Sequence, residues 1–119
     1  MQEPLTPPVF HILLALSGGE RHGYAIMREV ADDTGGALQL GPGTLYGCLK
    51  RMLAAKLVEE SDERPDPQLD DERRRYYRIT DLGSRAVRAE ADRMATALAA
   101  AQSRKLINRR AAVAGRGRK

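Results

Sequence analysis

The sequence predicts a mainly helical α+β chain: three short helices, a two-stranded hairpin and one long C-terminal helix. Three observations predict it. Apolar residues recur at spacings of three and four through the first half, as Val9, Ile12, Leu13, Leu16, then Ile26, Met27, Val30, then Leu45, Cys48, Leu49, Met52, Leu53. From Arg73 to Ile79 that period gives way to a run rich in β-formers with alternating faces. After Thr80 the helical period returns, with Val87, Ala91, Met94, Leu98 and Ala101 at the alternating 4-3 step of a heptad seam.

Each element has its own signals. Threonine caps helices and proline suits the first turn, so Thr6-Pro7-Pro8 opens a helix that runs to about Ser17 and ends at Gly18-Gly19. A second helix runs from about His22 to Thr34 and stops at Gly35-Gly36. Gly41-Pro42-Gly43 reads as a turn and Thr44 as the opening of the third helix. Leu57 to Glu60 reads as a strand. Ser61 to Glu72 is polar, holds Pro65 and Pro67, and reads as a loop; Arg73 to Ile79 closes the hairpin. On that strand Arg75, Tyr77 and Ile79 share a face; Ile79 marks it as the buried one and makes Tyr77 the core tyrosine. Thr80 caps a helix over 81–107, and 108–119 is expected to be a disordered basic tail. The chain divides into a winged helix-turn-helix over 1–80, a dimerisation helix and that tail. In such a fold the third helix enters the major groove, the second braces it, and the hairpin lies along flanking phosphates.

Composition narrows the function. The 119 residues suit one modest core, and no unbroken apolar run is longer than that from Ile12 to Leu16, so no membrane span is expected. The N-terminus has no signal-peptide pattern, and a cytoplasmic protein is expected. One cysteine excludes an internal disulfide framework and a thiolate metal cluster. His11 and His22 lack metal-ligand companions, and no nucleophilic triad or phosphate-binding loop occurs, so no enzyme, cofactor or metal is expected. The formal charge is +4, yet seven basic and no acidic residues follow Ser103, which leaves 13 basic against 16 acidic residues before it, a net of −3.

The candidate DNA-binding residues cluster by element. Gly43, Thr44 and Tyr46 lie on the first turn of the third helix, where free N–H groups and the helix dipole favour phosphate. Lys50 and Arg51 follow one turn later, within reach of phosphates or a guanine edge. Tyr24 opens the second helix, its ring able to pack while its hydroxyl reaches phosphate. Arg73, Arg74 and Arg75, with Arg78, form the strongest basic cluster before the tail, against the acidic loop of Asp62, Glu63, Asp66, Asp70, Asp71 and Glu72. Either the loop tip points away from the duplex, which is the favoured reading, or the protein itself neutralises some of these arginines. Cys48 and His11 are expected to be packed, and His22 to make a structural hydrogen bond. Val87, Ala91, Met94, Leu98 and Ala101 are the candidate dimer seam.

Three motifs, His22-Gly23-Tyr24, Gly41-Pro42-Gly43-Thr44-Leu45-Tyr46 and Arg74-Arg75-Tyr76-Tyr77-Arg78-Ile79-Thr80-Asp81-Leu82-Gly83, together resemble the signature of PadR-like transcriptional regulators over about residues 8–85. The single long terminal helix is similar to the short subgroup of that family. The resemblance implies a repressor dimerising through its C-terminal helix, a palindromic double-stranded operator and release by a small-molecule effector. It assigns Thr44 and Tyr46 to DNA contact and Arg74 and Arg75 to the wing. The alternative reading is a winged-helix protein–protein adaptor without operator binding, kept open by the net of −3 and the acidic loop. A redox or ligand sensor acting through Cys48 is a third.

Overall fold

The computed structural model describes residues 4–61 and 75–107. Helix α1 (Pro7–Leu16) is capped by the Thr6 side chain, which accepts from the Val9 N–H. Pro7 and Pro8 have no N–H, so Val9 offers the first amide that needs a partner. After a two-residue strand β1 (Arg21–His22), helix α2 (Gly23–Asp33) is capped by His22, whose Nδ1 accepts from the Ala25 N–H at 3.2 Å. Helix α3 (Pro42–Ala54) follows, then strands β2 (Val58–Ser61) and β3 (Tyr76–Ile79), then helix α4 (Asp81–Ser103).

The core forms where α1, α2 and α3 meet. Ile12, Leu13 and Leu16 from α1, Ile26 and Val30 from α2, and Leu45, Leu49 and Met52 from α3 are its fully buried large side chains. Burying such a side chain is worth about 1.5–3 kcal/mol, so this cluster sets the angles at which the three helices cross. Tyr77 from β3, Val58 from β2, and Ala86 and Val87 from α4 close the remaining side.

Several boundaries differ from the sequence expectation. The hairpin gains a third strand: the order is β1-β3-β2, all antiparallel, with Arg21 opposite Tyr77 and His22 opposite Tyr76. This makes β3 central and buries Tyr77, as strand parity predicts. Helix α3 begins at Pro42 with Gly41 as its cap, so Thr44 lies inside the first turn and is not the capping residue. Proline at the first helical position leaves the cap to the residue before it. Helix α4 stops at Ser103, short of 107. Lys105 adopts a left-handed φ of 61°, and the Leu106 N–H bonds back to the Ala101 carbonyl, a Schellman ending that turns the chain away.

The junction of wing and α4 is tight. Thr80 caps α4 through the Gly83 N–H at 3.0 Å and donates its hydroxyl to the Lys56 carbonyl at 2.7 Å. Gly83 packs so closely on the Leu57 carbonyl that a Cβ there would overlap it and lie 2.8 Å from Ile79 Cγ1.

Candidate nucleic-acid interface

The first turn of α3 lies open on the surface. Gly41 has no side chain with which to cap it, and Pro42 has no N–H, so the amides of Gly43 and Thr44 emerge uncapped by a side chain at the positive end of the helix dipole. Both residues are exposed. Leu45 dips into the core and fixes the helix by that side, which leaves Gly43, Thr44, Gly47, Lys50 and Arg51 on the outward part. A Cβ at Gly47 would meet only Arg51 Nη1, at 3.7 Å, and a Cβ at Gly41 or Gly43 would meet nothing within 4 Å. The packing of the described residues therefore gives no steric reason for these glycines.

Tyr46 is half-buried. Its ring leans back over α2, where a Cβ on Gly23 would overlap its hydroxyl and lie 2.8 Å from its Cζ. That close approach explains the glycine between His22 and Tyr24. The outer edge of Tyr46 joins Lys50, Glu60 and Arg75 around a cleft of about 320 Å³ floored by Leu49, Leu53 and Tyr77. Three predicted site residues, Tyr46 and Lys50 of α3 and Arg75 beside β3, thus come together, with one acid among them. Arg51 is exposed, and its guanidinium donates to Cys48 Sγ at 3.5 Å.

Tyr24 stands 41% exposed on the outer face of α2, across a second depression from Gln39 and Pro42. Arg28, which the sequence reading passed over, lines the same depression four residues on. It is exposed, and no carboxylate lies within ion-pair distance of it among the described residues. Its i+4 relation to Tyr24 was the available signal.

The wing departs from expectation at Arg78. Its guanidinium reaches Glu59 at 2.7 Å and Glu20 at 3.6 Å, so the protein neutralises it. Cross-strand register causes this, because Glu59 faces Arg78 directly on β2. Arg73, Arg74, the acidic loop and the tail lie outside the described residues. His22 makes the structural bond expected of it and packs edge-on against Tyr76, and Cys48 is buried.

The candidate seam on α4 splits in two. Val87 is buried in the core of its own domain, which corrects its place in a seam between subunits: it faces Leu14 of α1 and Ile79 of β3. Beyond Glu90 the helix leaves the body. Ala91 is exposed, Met94 is 43% and Leu98 48% exposed, and Ala101 is half-buried. Glu90 itself, missed by the sequence reading, is buried; its Oε1 accepts from the Leu5 N–H at 2.8 Å and from Arg93 at 2.6 Å. The Leu5 backbone bond first, and Arg93 second, hold its carboxyl below the ordinary value of 4.5.

Among the described residues no helix is long and apolar enough to cross a membrane, and no group of side chains is arranged to hold a metal ion. Three helices, a small sheet forming a wing and an exposed first turn on α3 define a winged helix-turn-helix protein. The model of the transcriptional regulator PadR-like family matches residues 12–89, and the chain belongs to that family of transcriptional regulators. Its fold is similar to a PadR family transcription regulator from Clostridium difficile, with a TM-score of 0.67 at 22% identity over 82% of this chain and 97% of that one. It is also similar in fold to Bacillus subtilis PadR in complex with operator DNA, with a TM-score of 0.61 at 20% identity over 73% of this chain and 46% of that one. In sequence it is 37% identical over 84 residues to an uncharacterized 37.1 kDa protein in a transposon of Streptomyces fradiae, a stretch that covers 71% of this chain and 22% of that protein. The chain spans less than two thirds of the length of the curated relatives it matches.

Proposed function

We propose that the protein is a dimeric, sequence-specific DNA-binding repressor. The observation that carries this reading is the first turn of α3, which is exposed, uncapped by a side chain and flanked by cations. In this reading α3 enters the major groove, and the Gly43 and Thr44 amides and Thr44 hydroxyl hold a phosphate. Lys50 and Arg51 reach phosphates or base edges, Tyr24 reaches the backbone beside them, and Tyr46, its hydroxyl turned toward Gly23, adds the edge of its ring. Arg73, Arg74 and Arg75 bring the base of the wing to the flanking phosphates. That the Bacillus subtilis relative is in complex with operator DNA supports DNA as the partner.

The distal half of α4 pairs with its counterpart in a second copy. Met94 and Leu98 supply most of the burial, and Ala91 and Ala101 allow close approach of the helices. A dimer of two such domains reads a palindromic operator, and a small-molecule effector releases it. The basic tail adds affinity that does not depend on base sequence, through counterion release.

A gel shift with the DNA upstream of the protein's own gene tests the proposal. The expected result is a discrete complex that resists random competitor DNA and weakens steeply with salt. Binding that random DNA competes away equally would refute it. The protein–protein adaptor is favoured by one observation, the pairing of Arg78 with Glu59 and Glu20, which removes a wing cation; it predicts no retarded complex.

A further inference from the structure

The root of α4 carries a polar arrangement that joins two parts of the chain far apart in sequence. Glu90 sits at the point where α4 leaves the body: Ala86 and Val87 one turn before it are buried, and every residue from 91 to 99 is exposed. Its Oε1 takes a backbone N–H from Leu5, 85 residues away, and a guanidinium N–H from Arg93 one turn on. Leu5 is anchored in turn, because its side chain packs on the core and the next residue, Thr6, caps α1. The carboxylate therefore ties the start of α1 to the root of the protruding helix. A buried carboxylate needs strong partners, and a charge-assisted bond from each side supplies them.

We infer that Glu90 is a positioning residue: its clasp on Leu5 fixes the direction in which α4 leaves the DNA-binding domain, and so the spacing of the two half-sites the dimer accepts. The inference rests on the dimer and DNA readings proposed above. Residues 91–103 form a lever about 20 Å long at 1.5 Å per residue. A swing of about 10° at Glu90 displaces its far end by about 3.5 Å, which is one base-pair step of B-DNA. Such a small angular change suffices because, among the described residues, none buries α4 along 91–99. The half-site sequence, read by α3, is unaffected.

Selection of binders from a randomised duplex pool tests this with the full chain. The wild type is expected to enrich inverted half-sites at one spacing. Glu90→Ala is expected to enrich the same half-site with its partner spread over about two or three neighbouring spacings, as the lever arithmetic requires. Glu90→Gln keeps an acceptor oxygen for Leu5 and is expected to restore the single spacing. If Glu90→Ala fails to fold, Glu90→Asp replaces it, because the shorter side chain withdraws the oxygen while keeping the charge. A single unchanged spacing in the folded variant overturns the inference, even if its melting temperature or affinity falls, since a merely structural role gives that pattern. Enrichment of single half-sites by the wild type overturns the dimer reading and the inference with it. Failure of the wild type to enrich any motif overturns the proposed function itself.

Discussion

Replacing Gly47 by alanine separates what α3 does for the fold from what it does for DNA. Glycine in a helix interior costs about 1 kcal/mol relative to alanine. Gly47 lies well inside α3, and a methyl group there would meet only Arg51 Nη1 at 3.7 Å, an ordinary contact with the end of a flexible side chain. The free protein should therefore gain about 1 kcal/mol, which raises the melting temperature of a domain this size by about 4–8 °C. In the proposed complex the same methyl intrudes where the helix backbone meets the duplex. Overpacking of that kind costs about 1–3 kcal/mol, a loss of roughly 5-fold to 150-fold in affinity. Thermal melts and anisotropy titrations of a labelled duplex, run on one preparation, read both effects. A variant that is stabilised yet binds with wild-type affinity would show that this face of α3 does not approach DNA. A destabilised variant would show instead that the surroundings of Gly47 are tighter than the 3.7 Å contact implies.

Four further outcomes follow from the packing. Gly83→Ala places a methyl group against the Leu57 carbonyl, which cannot rotate away, and should destabilise by about 1–3 kcal/mol in denaturant titrations; an unchanged midpoint refutes the tight junction. Tyr77→Ala empties a 3%-exposed site beneath the sheet and should cost about 3–5 kcal/mol, by analogy with other aromatic truncations, so a wild-type melt contradicts its core role. Leu98→Asp should yield a monomer by sedimentation while leaving the fold intact, because Leu98 is 48% exposed within the subunit; a dimer that survives places the interface elsewhere. The depressed pKa of Glu90 stabilises the folded state fully above the unfolded carboxyl value, and the contribution disappears as pH falls through the lower folded value. Melting curves of wild type and Glu90→Gln should accordingly differ at neutral pH and converge in acid, and a gap independent of pH refutes the charge-assisted bond.

Much of the fold was legible in sequence because it rests on local chemistry. Thr6 and Thr80 announce two helix starts by type and position, and strand alternation alone sends Tyr77 inward. What was illegible depends on partners distant in sequence. Strand β1 has two residues, Arg21 and His22, and no period can be read from two; it exists only because β3 offers an edge. The burial of Glu90 depends on an amide 85 residues away, and the neutralisation of Arg78 on the register of β2 and on Glu20. Val87 continues the heptad spacing of Ala91 and Met94, but spacing cannot tell which subunit covers a residue. The start of α3 is ambiguous in sequence for a different reason: Gly41-Pro42-Gly43 carries turn signals, and proline also marks the first helical position, the role Pro42 takes.

The exposed run along α4 makes one helix of two unequal materials. Up to Glu90 the helix is held by the body of the domain, whereas residues 91–99 are all exposed, and among the described residues little holds them except their own backbone bonds. An isolated helical segment this short is marginal in water even when rich in alanine. Its order must come largely from whatever covers it, so in the proposed dimer assembly and completion of the helix are one event. Dilution should then lower the helical circular dichroism of the protein before the domain unfolds, and amide hydrogens beyond Glu90 should exchange at a rate set by protein concentration, while those of the core do not.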